Sequence, residues 1–346
     1  MAYVIRIRGV VQGVGFRPTV YRIATSMGLN GYVKNLGSSV EVVVDREPEQ
    51  FMKQLEQYLP ALARIDDYEI EETTLCMEGF TIVMSSDGER ESTIPVDTAV
   101  CTECFKEFMT PGNRRYEYPF TNCVECGARF TLIDKLPYDR EHTSMALFQM
   151  CEECYAEYSD PGNRRFHAQT ISCPKCGPQY VLYDAEQNPV GGGIKAFAGF
   201  IDKGYLCVLK GWGGMHIAAV EESCNALRER FGRKQKPFAV MFRDIESVEK
   251  YCDLTRKEKE ILLSSARPIV VVRKKKEMEC ISPGLPNIGV FLPYAVIHHL
   301  LFKYLLRDFI ILTSANLPGE PIITDNREVF NLGTVSYTHL TLPTKA

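Results

Sequence analysis

One cysteine pattern constrains the fold of this 346-residue chain more than any other feature. The stretch that begins at Cys101 reads CTECFKEFMTPGNRRYEYPFTNCVECG, and from Cys151 the chain reads CEECYAEYSDPGNRRFHAQTISCPKCG. The cysteine spacing, the PGNRR turn and the final glycine all recur, which indicates a duplicated module. Each copy has the spacing C-x2-C-x18-C-x2-C, and the eight cysteines are Cys101, Cys104, Cys123, Cys126, Cys151, Cys154, Cys173 and Cys176.

Four thiolates at this spacing fill the tetrahedral shell of one zinc ion, so the pattern predicts two structural zinc sites. Pairing within each copy is our interpretation, and pairing across the copies is the alternative. A redox dithiol would require a βαβ pattern around C-x-x-C, which this segment lacks. His142 and His167 lie near these cysteines in the sequence. Because four sulfurs already fill each site, we expect both histidines to be structural.

The composition is that of a globular protein, with 45% hydrophobic residues, 24% charged residues and a net charge of −4. This balance gives no overall attraction to nucleic acid or to a membrane surface. The N-terminus alternates Ile5, Arg6, Ile7 and Arg8, so it has no signal-peptide core. No uncharged apolar run reaches the roughly 18 residues that span a bilayer. We therefore expect a cytoplasmic protein whose cysteines do not form a disulfide framework.

The first segment predicts a ferredoxin-like α+β domain over residues 1–90. Its strand signals are YVIRIRGV, NGYVKNL, SVEVVVD and a late GFTIVMS, with YEIEE as an extra extended candidate. Its helix signals are PTVYRIATSMG, with Pro18 expected at the first helical position, and PEQFMKQLEQYL, which starts at Pro48.

Between the first strand and the first helix the chain reads VVQGVGFRP. Gly13 and Gly15 allow successive backbone N–H groups to converge, and Arg17 adds a guanidinium where the helix begins. Such a turn binds an anion in some proteins and is purely steric in others, so both interpretations stay open on these residues.

After the cysteine module, at residues 93–182, AEQNPVGGGIKAF reads as a linker. The segment that follows, 187–330, returns to α/β composition. Its buried-strand signals are YLCVLKG, FAVMF, PIVVVRK and FIILTSA, and its helix signals are SCNALRERFG, TRKEKEILLSS and AVIHHLLFKYLL. The last sixteen residues, 331–346, follow neither pattern, and we expect an unrelated or disordered tail.

Taken together, the three segments resemble the N-terminal part of the hydrogenase-maturation carbamoyltransferases, the HypF family. The first resembles acylphosphatases through VQGVGFRP and GYVKNLGSSVEV. The second matches the family through PGNRRY, YPFTNC, LPYDR and RRFHAQ. The third resembles the YrdC/Sua5-like nucleotide-binding domain through LKGWGGMHIA, KPFAVM, SPGLPNIGVFLPYAVIHHLLF and LTSANLPGEPI.

The resemblance implies a multidomain α+β enzyme in which separate domains catalyse separate steps. The acylphosphatase-like domain would hydrolyse carbamoyl phosphate, and the YrdC-like domain would activate the released carbamate with ATP, accompanied by Mg²⁺, as carbamoyl adenylate. A further domain of the family passes the carbamoyl group to a HypE-type partner for the cyanide ligand of the nickel–iron centre. We expect this chain to lack that transfer domain. The alternatives are a stand-alone acylphosphatase and a YrdC-like protein that binds RNA or modifies tRNA.

The resemblance also implies site residues. The backbone of Gln12, Gly13, Val14, Gly15 and Phe16 would wrap a phosphate, Arg17 would pair with its oxygens, and Asn35 would orient the attacking water. The nucleotide would be bound by Lys210, Arg233, Lys236, Ser314 and Asn316. The family usually carries a K-x-R pair, but Phe231 stands here in the lysine's place, and Lys234 is the candidate substitute.

Overall fold

The computed structural model describes residues 2–75, 77–86, 95–233, 235–316, 319–332 and 337–341. The chain folds into two compact units, and both are discontinuous in sequence. The first unit consists of Met1–Asp97 and Thr121–Gly177, and the second consists of Thr98–Phe120 and Pro178–Ala346.

The first unit begins with the predicted ferredoxin-like arrangement. Its elements are β1 (Ala2–Val10), α1 (Phe16–Ser26), β2 (Gly31–Leu36), β3 (Ser39–Val44), α2 (Pro48–Gln57), β4 (Arg64–Thr73) and β5 (Phe80–Ile82). The sheet order is β4-β1-β3-β2-β5, in which β5 alone pairs in parallel. The α+β fold class expected from the sequence is confirmed.

Alternation along the strands builds the core of this sheet. Ile5 and Ile7 of β1 and Val42 of β3 are fully buried, whereas the arginines between the two isoleucines and after them stay at the surface. Phe51 and Leu55 of α2 pack on the same core, as the helical spacing requires. The turn between β1 and α1 packs on this core.

Two details differ from the sequence prediction. Helix α1 begins at Phe16, so Pro18 is its third residue and not its first. The extended candidate YEIEE is confirmed within the long strand β4, but the predicted strand GFTIVMS contributes only the three-residue β5 at the sheet edge.

The cysteine-rich part contains little regular structure. Helix α3 (Thr102–Met109) lies in the second unit and helix α4 (Glu152–Ser159) in the first. Cys101 and Cys151 are the N-cap residues of these helices, so each copy places its first C-x-x-C on a helix N-terminus. Two short 3-10 helices, Arg140–His142 and Ser144–Leu147, follow the first copy.

The second unit is built on one mixed sheet. Its further elements are β6 (Tyr180–Asp184), β7 (Pro189–Val190), α5 (Gly193–Asp202), β8 (Cys207–Gly211), β9 (Gly214–Ala219), α6 (Cys224–Arg230), β10 (Ala239–Phe242), α7 (Ile245–Tyr251), β11 (Cys252–Asp253), α8 (Arg256–Leu263), β12 (Val270–Lys274), β13 (Asn287–Phe291), α9 (Val296–Tyr304), β14 (Phe309–Ser314) and β15 (Tyr337–Thr341), with 3-10 helices at Glu221–Ser223 and Glu328–Leu332. The strand order is β11-β12-β13-β10-β14-β9-β8-β15-β6-β7. Central strands such as β8 are buried almost throughout, which explains their continuous apolar sequences.

The structure corrects the expected linker and part of the expected tail. AEQNPVGGGIKAF forms the β6–β7 turn, β7 and the start of α5. Five residues of the tail form β15, which pairs with β6 and β8. Residues 333–336 and 342–346 of the tail lie outside the described residues. One disulfide, Cys224–Cys280, occurs in this unit although we expected reduced thiols.

Within the described part of the chain, no helix is both long enough and apolar enough to cross a membrane.

Candidate active site

The predicted phosphate loop lies between β1 and the N-terminus of α1. Gly13 and Gly15 have φ angles of 66° and 78°, a backbone conformation that favours glycine. A Cβ on Gly13 would lie 2.7 Å from the Pro95 side chain and 3.2 Å from the Tyr138 ring. The loop is therefore glycine-rich for two reasons, namely its backbone conformation and the close approach of neighbouring residues.

Arg17 is the second residue of α1, and its side chain is only 9% exposed. Its Nη2 donates to the carboxylate of Asp139 at 2.8 Å and to the carbonyl of Tyr138 at 3.1 Å. Its Nη1 donates to Ser85 Oγ at 3.3 Å. The guanidinium thus lies next to the glycine loop, where the sequence predicted it, and it is held by an acidic partner that the sequence analysis did not identify.

Asn35 is fully buried on β2, on the same face as Val33. Its Nδ2 donates to the carbonyl of Tyr138 at 3.3 Å, so Asn35 and Arg17 share one acceptor. Its Oδ1 is buried and has no hydrogen-bond partner among the described residues. A buried amide oxygen without a partner is costly unless a ligand or water satisfies it.

Gln12 completes the cluster from the end of β1. Its Nε2 donates to the carbonyls of Gly37 and Ser39, and its Oε1 accepts from the backbone N–H of Tyr138 at 3.0 Å. Three predicted residues therefore converge on Tyr138. The side chains of Val14 and Phe16 belong to the hydrophobic core, so these two residues can offer a ligand only their backbone.

Two cavities meet at Arg17. A small one of about 20 Å³ is lined by Gly13, Gly15, Arg17 and Tyr138, among others, which is room for about one water molecule. A wider cleft of about 550 Å³ is lined by Arg17, Asp139 and His167, among others. The Tyr138–Asp139 segment contributes to the walls of both.

The two histidines near the cysteines have structural surroundings. His142 Nδ1 lies 2.7 Å from the carbonyl of Pro137. The His167 ring packs against the rings of Tyr158 and Phe166, at 4.8 and 4.7 Å between centroids. Burial, aided by the nearby positive charge of Arg17, lowers the pKa of His167 to about 4, so the ring is neutral at pH 7.

The eight cysteines form the two groups of four that were predicted within each copy. In each group the four sulfur atoms lie within 4.8 Å of one another. In the second group, neighbouring sulfurs are 3.6–3.7 Å apart. A tetrahedral zinc ion with four Zn–S bonds of about 2.3 Å requires S···S distances of about 3.8 Å. The donor set and its spacing therefore fit zinc.

In the second unit, three predicted nucleotide-binding residues lie together at the end of β14. Arg233 Nη2 donates to the carbonyl of Ser314 at 3.2 Å and to Asn316 Oδ1 at 3.1 Å. The Ser314 hydroxyl lies 2.7 Å from the same Asn316 oxygen. The end of a strand in an open sheet is a common position for a ligand.

The remaining predicted residues have separate surroundings. Lys210, on β8, donates to Asn326 Oδ1 at 2.7 Å and to the carbonyl of Thr324 at 3.1 Å. Burial lowers its pKa to about 8. Lys236 is exposed. Phe231 belongs to the hydrophobic core, so this position cannot serve as a phosphate-contacting side chain, and Lys234 lies outside the described residues.

Comparison with protein families divides the chain in the order that the sequence predicted. Residues 3–82 match the family Acylphosphatase, residues 100–133 and 150–183 match the HypF finger, and residues 199–336 match the Sua5/YciO/YrdC family, described as Telomere recombination.

The chain is similar to carbamoyltransferases and, over its first part, to acylphosphatases. "Probable carbamoyltransferase HypF" of Methanocaldococcus jannaschii is 44% identical over 344 residues, which cover 94% of this chain and 44% of that protein. Carbamoyltransferase HypF of Synechocystis is 41% identical over 335 residues, with 93% and 44% covered. An acylphosphatase of Vibrio vulnificus is 45% identical over 83 residues, or 22% of this chain and 90% of that protein. The chain spans less than half the length of these HypF relatives.

Solved structures agree over nearly the whole chain. A crystal structure of full-length HypF in the phosphate- and nucleotide-bound form matches with a TM-score of 0.93 at 40% identity, covering 98% of this chain and 46% of that one. The crystal structure of T. kodakarensis HypF matches with a TM-score of 0.91 at 44% identity, covering 98% and 45%.

Proposed function

The chain belongs to the HypF family of carbamoyltransferases, and from this premise we propose that its first unit hydrolyses carbamoyl phosphate while its second unit activates the carbamate with ATP. The observation that carries the first step is that the side chains of Gln12, Arg17 and Asn35 all hydrogen-bond the backbone of Tyr138 beside the glycine loop. A guanidinium and an amide beside the backbone N–H groups of a glycine loop suit a phosphate and an attacking water.

In this proposal the loop and Arg17 bind the phosphoryl oxygens. The N–H groups from Gln12 to Phe16 belong to the turn that leads into α1, where the helix N-terminus adds a partial positive charge. Negative charge on the oxygens is stabilised by donors that the fold already holds in position. In the free protein the Asp139 carboxylate and the Tyr138 carbonyl accept hydrogen bonds from Arg17. Substrate oxygens must replace these two acceptors.

Asn35 orients the water. Its free Oδ1 accepts a hydrogen bond from the water and turns the water oxygen towards phosphorus. The water oxygen forms a bond to phosphorus while the bond from phosphorus to the carbamoyl oxygen breaks. The products are inorganic phosphate and carbamate, and the water protons remain on the phosphate or pass to solvent.

The second unit would use the polar residues at the end of β14 for adenylation. Arg233, Ser314 and Asn316 form one polar group, and Lys210 supplies a buried cation on the neighbouring part of the sheet. Lys236 would add charge at the surface. A carbamate oxygen attacks the α-phosphorus of ATP, accompanied by Mg²⁺, and pyrophosphate leaves. This gives carbamoyl adenylate.

The cysteine groups would each hold one zinc ion with a structural role. Because four sulfurs complete the shell, zinc would stabilise the module and would not offer a position to substrate. We further propose a cytoplasmic location and a HypE-type protein as acceptor of the carbamoyl group, for which we assign no residue of this chain.

The test measures both steps on the purified chain. Phosphate release from carbamoyl phosphate should fall by roughly 10²-fold or more in Arg17→Ala, as for other preorganised oxyanion donors. Exchange of pyrophosphate into ATP should require carbamoyl phosphate. Exchange that instead requires threonine and bicarbonate would identify a tRNA-modifying enzyme, and absence of both reactions would contradict the proposal.

A further inference from the structure

Arg129 joins the first cysteine group to the phosphate loop. It is almost fully buried, and its Nε donates to the carbonyl of Gly13 at 2.7 Å. Its Nη2 donates to the carbonyl of Cys123 at 2.8 Å. Its Nη1 donates to the carbonyls of Cys126 and Ala128 at 2.8 and 2.9 Å. One guanidinium thus binds four backbone carbonyls, two of which belong to cysteines of the first group.

The contact to Gly13 controls the direction of a loop amide. In a trans peptide the C=O and the next N–H point in opposite directions. Holding the Gly13 carbonyl on Arg129 therefore turns the N–H of Val14 to the other side of the peptide plane. If the carbonyl were free to rotate, its oxygen could face the anion and repel it.

The backbone around Arg129 is held in place by the carboxylate of Asp97. The backbone N–H of Arg129 donates to Asp97 Oδ1 at 2.6 Å, and the N–H of Thr131 donates to the same oxygen at 3.3 Å. The Cys123–Cys126 turn also holds the Arg129 guanidinium, through the carbonyls of these two cysteines. When the thiolates of this turn bind a metal, its two carbonyls become fixed acceptors for the guanidinium.

We propose that Arg129 is a positioning residue through which the metal-bound first cysteine group sets the affinity of the phosphate loop for anions. The inference rests on the proposed function of that loop. It assigns Arg129 a role in catalysis that is indirect, since its nitrogens are all directed to backbone carbonyls. Lysine cannot replace it, because one ammonium lacks the planar fork that serves several carbonyls at once.

The first experiment compares Arg129→Lys and Arg129→Gln with the parent chain, loaded with zinc. Inorganic phosphate is titrated and the Val14 amide is followed by NMR, together with zinc content and KM and kcat on an acyl phosphate. The dissociation constant for phosphate and KM should rise about tenfold in both variants, with zinc content unchanged. The control is Arg243→Lys, which loses a guanidinium bound to the carbonyls of Phe302, Leu305 and Arg307 in the second unit.

The second experiment uses the unaltered chain, so it tests the role of the bound metal in phosphate binding even if the variants do not fold. Chelation should weaken phosphate binding at least tenfold and shift the Val14 amide signal, and added zinc should restore both. Phosphate binding within twofold of the parent in folded variants, or after chelation, would overturn the inference alone. A parent chain that binds no phosphate would overturn the proposed function as well.

Discussion

The carboxylate of Asp139 lies 2.8 Å from the guanidinium of Arg17, across 122 positions of sequence. Both side chains are largely shielded from solvent, so their Coulomb attraction is screened less than that of an ion pair at the surface. The Asp139 carboxylate therefore pairs with the guanidinium that we assign to phosphate binding, and the substrate must break this ion pair when it binds.

Replacing Asp139 should tighten anion binding. Asp139→Asn removes the competing charge but keeps the size of the side chain, so the dissociation constant for inorganic phosphate should fall about threefold to tenfold, equivalent to about 1 kcal/mol. Isothermal titration calorimetry measures it. Asp66→Asn, which alters an exposed ion pair with Arg64, is the control. Weaker phosphate binding in Asp139→Asn would mean that Asp139 helps to hold Arg17 in its binding position.

Asn35 should affect turnover more than binding. Asn35→Ala removes the amide oxygen that we assign to the water, so kcat for acyl phosphate hydrolysis should fall by about 10²-fold, in the range of a lost positioned group. The inhibition constant of inorganic phosphate should change by less than threefold. A parallel loss of phosphate affinity would show that Asn35 binds the phosphate and not the water.

Metal content should follow the two cysteine groups. The purified chain should contain two zinc ions, and Cys154→Ser should contain about one, because a three-sulfur site with a weak fourth ligand binds zinc poorly. Elemental analysis of protein from zinc-supplemented cells measures this. Cys207→Ala changes a buried cysteine outside both groups and should retain two ions. A parent chain without zinc contradicts the assignment.

Nucleotide affinity should depend on pH through Lys210. Burial lowers its pKa to about 8, so the lysine is charged at pH 7 and loses its charge as the pH rises through 8. The charged form attracts phosphate oxygens, so ATP affinity should be highest below pH 8 and fall several-fold by pH 9. Lys210→Arg stays charged over this range and should flatten the profile. Identical profiles for the two proteins would remove Lys210 from the site.

The cysteine groups were predictable because their spacing is local and four identical ligands are enough to define them. Strand β4 was predicted only in part: YEIEE was an extra extended candidate, but the full range Arg64–Thr73 was not assigned, because it is rich in charged residues. In the structure they face the neighbouring strand β1, where Glu71 pairs with Arg6 at 2.9 Å and Glu69 pairs with Arg8 at 3.0 Å. Charged residues thus stabilise a strand when the partner strand carries the opposite sign.

The partners of the loop could not be predicted from local pattern. Arg129 and Asp139 are single charged residues more than 110 positions from the glycine loop, and no periodicity connects them to it. The motif LPYDR, which contains Asp139, was visible as part of the family resemblance, but nothing in it specifies a contact with Arg17. Arg17 and Asn35 remain predictions as catalytic residues.

The discontinuity of the two units has a consequence for biosynthesis. Residues 98–120 belong to the second unit although both flanking segments belong to the first. As the chain leaves the ribosome, the first unit cannot complete its contacts until Gly177 has emerged, long after its N-terminal sheet is available to fold. For the same reason, no single cut of the chain separates the two units, and nicking by a protease between them would leave part of one attached to the other.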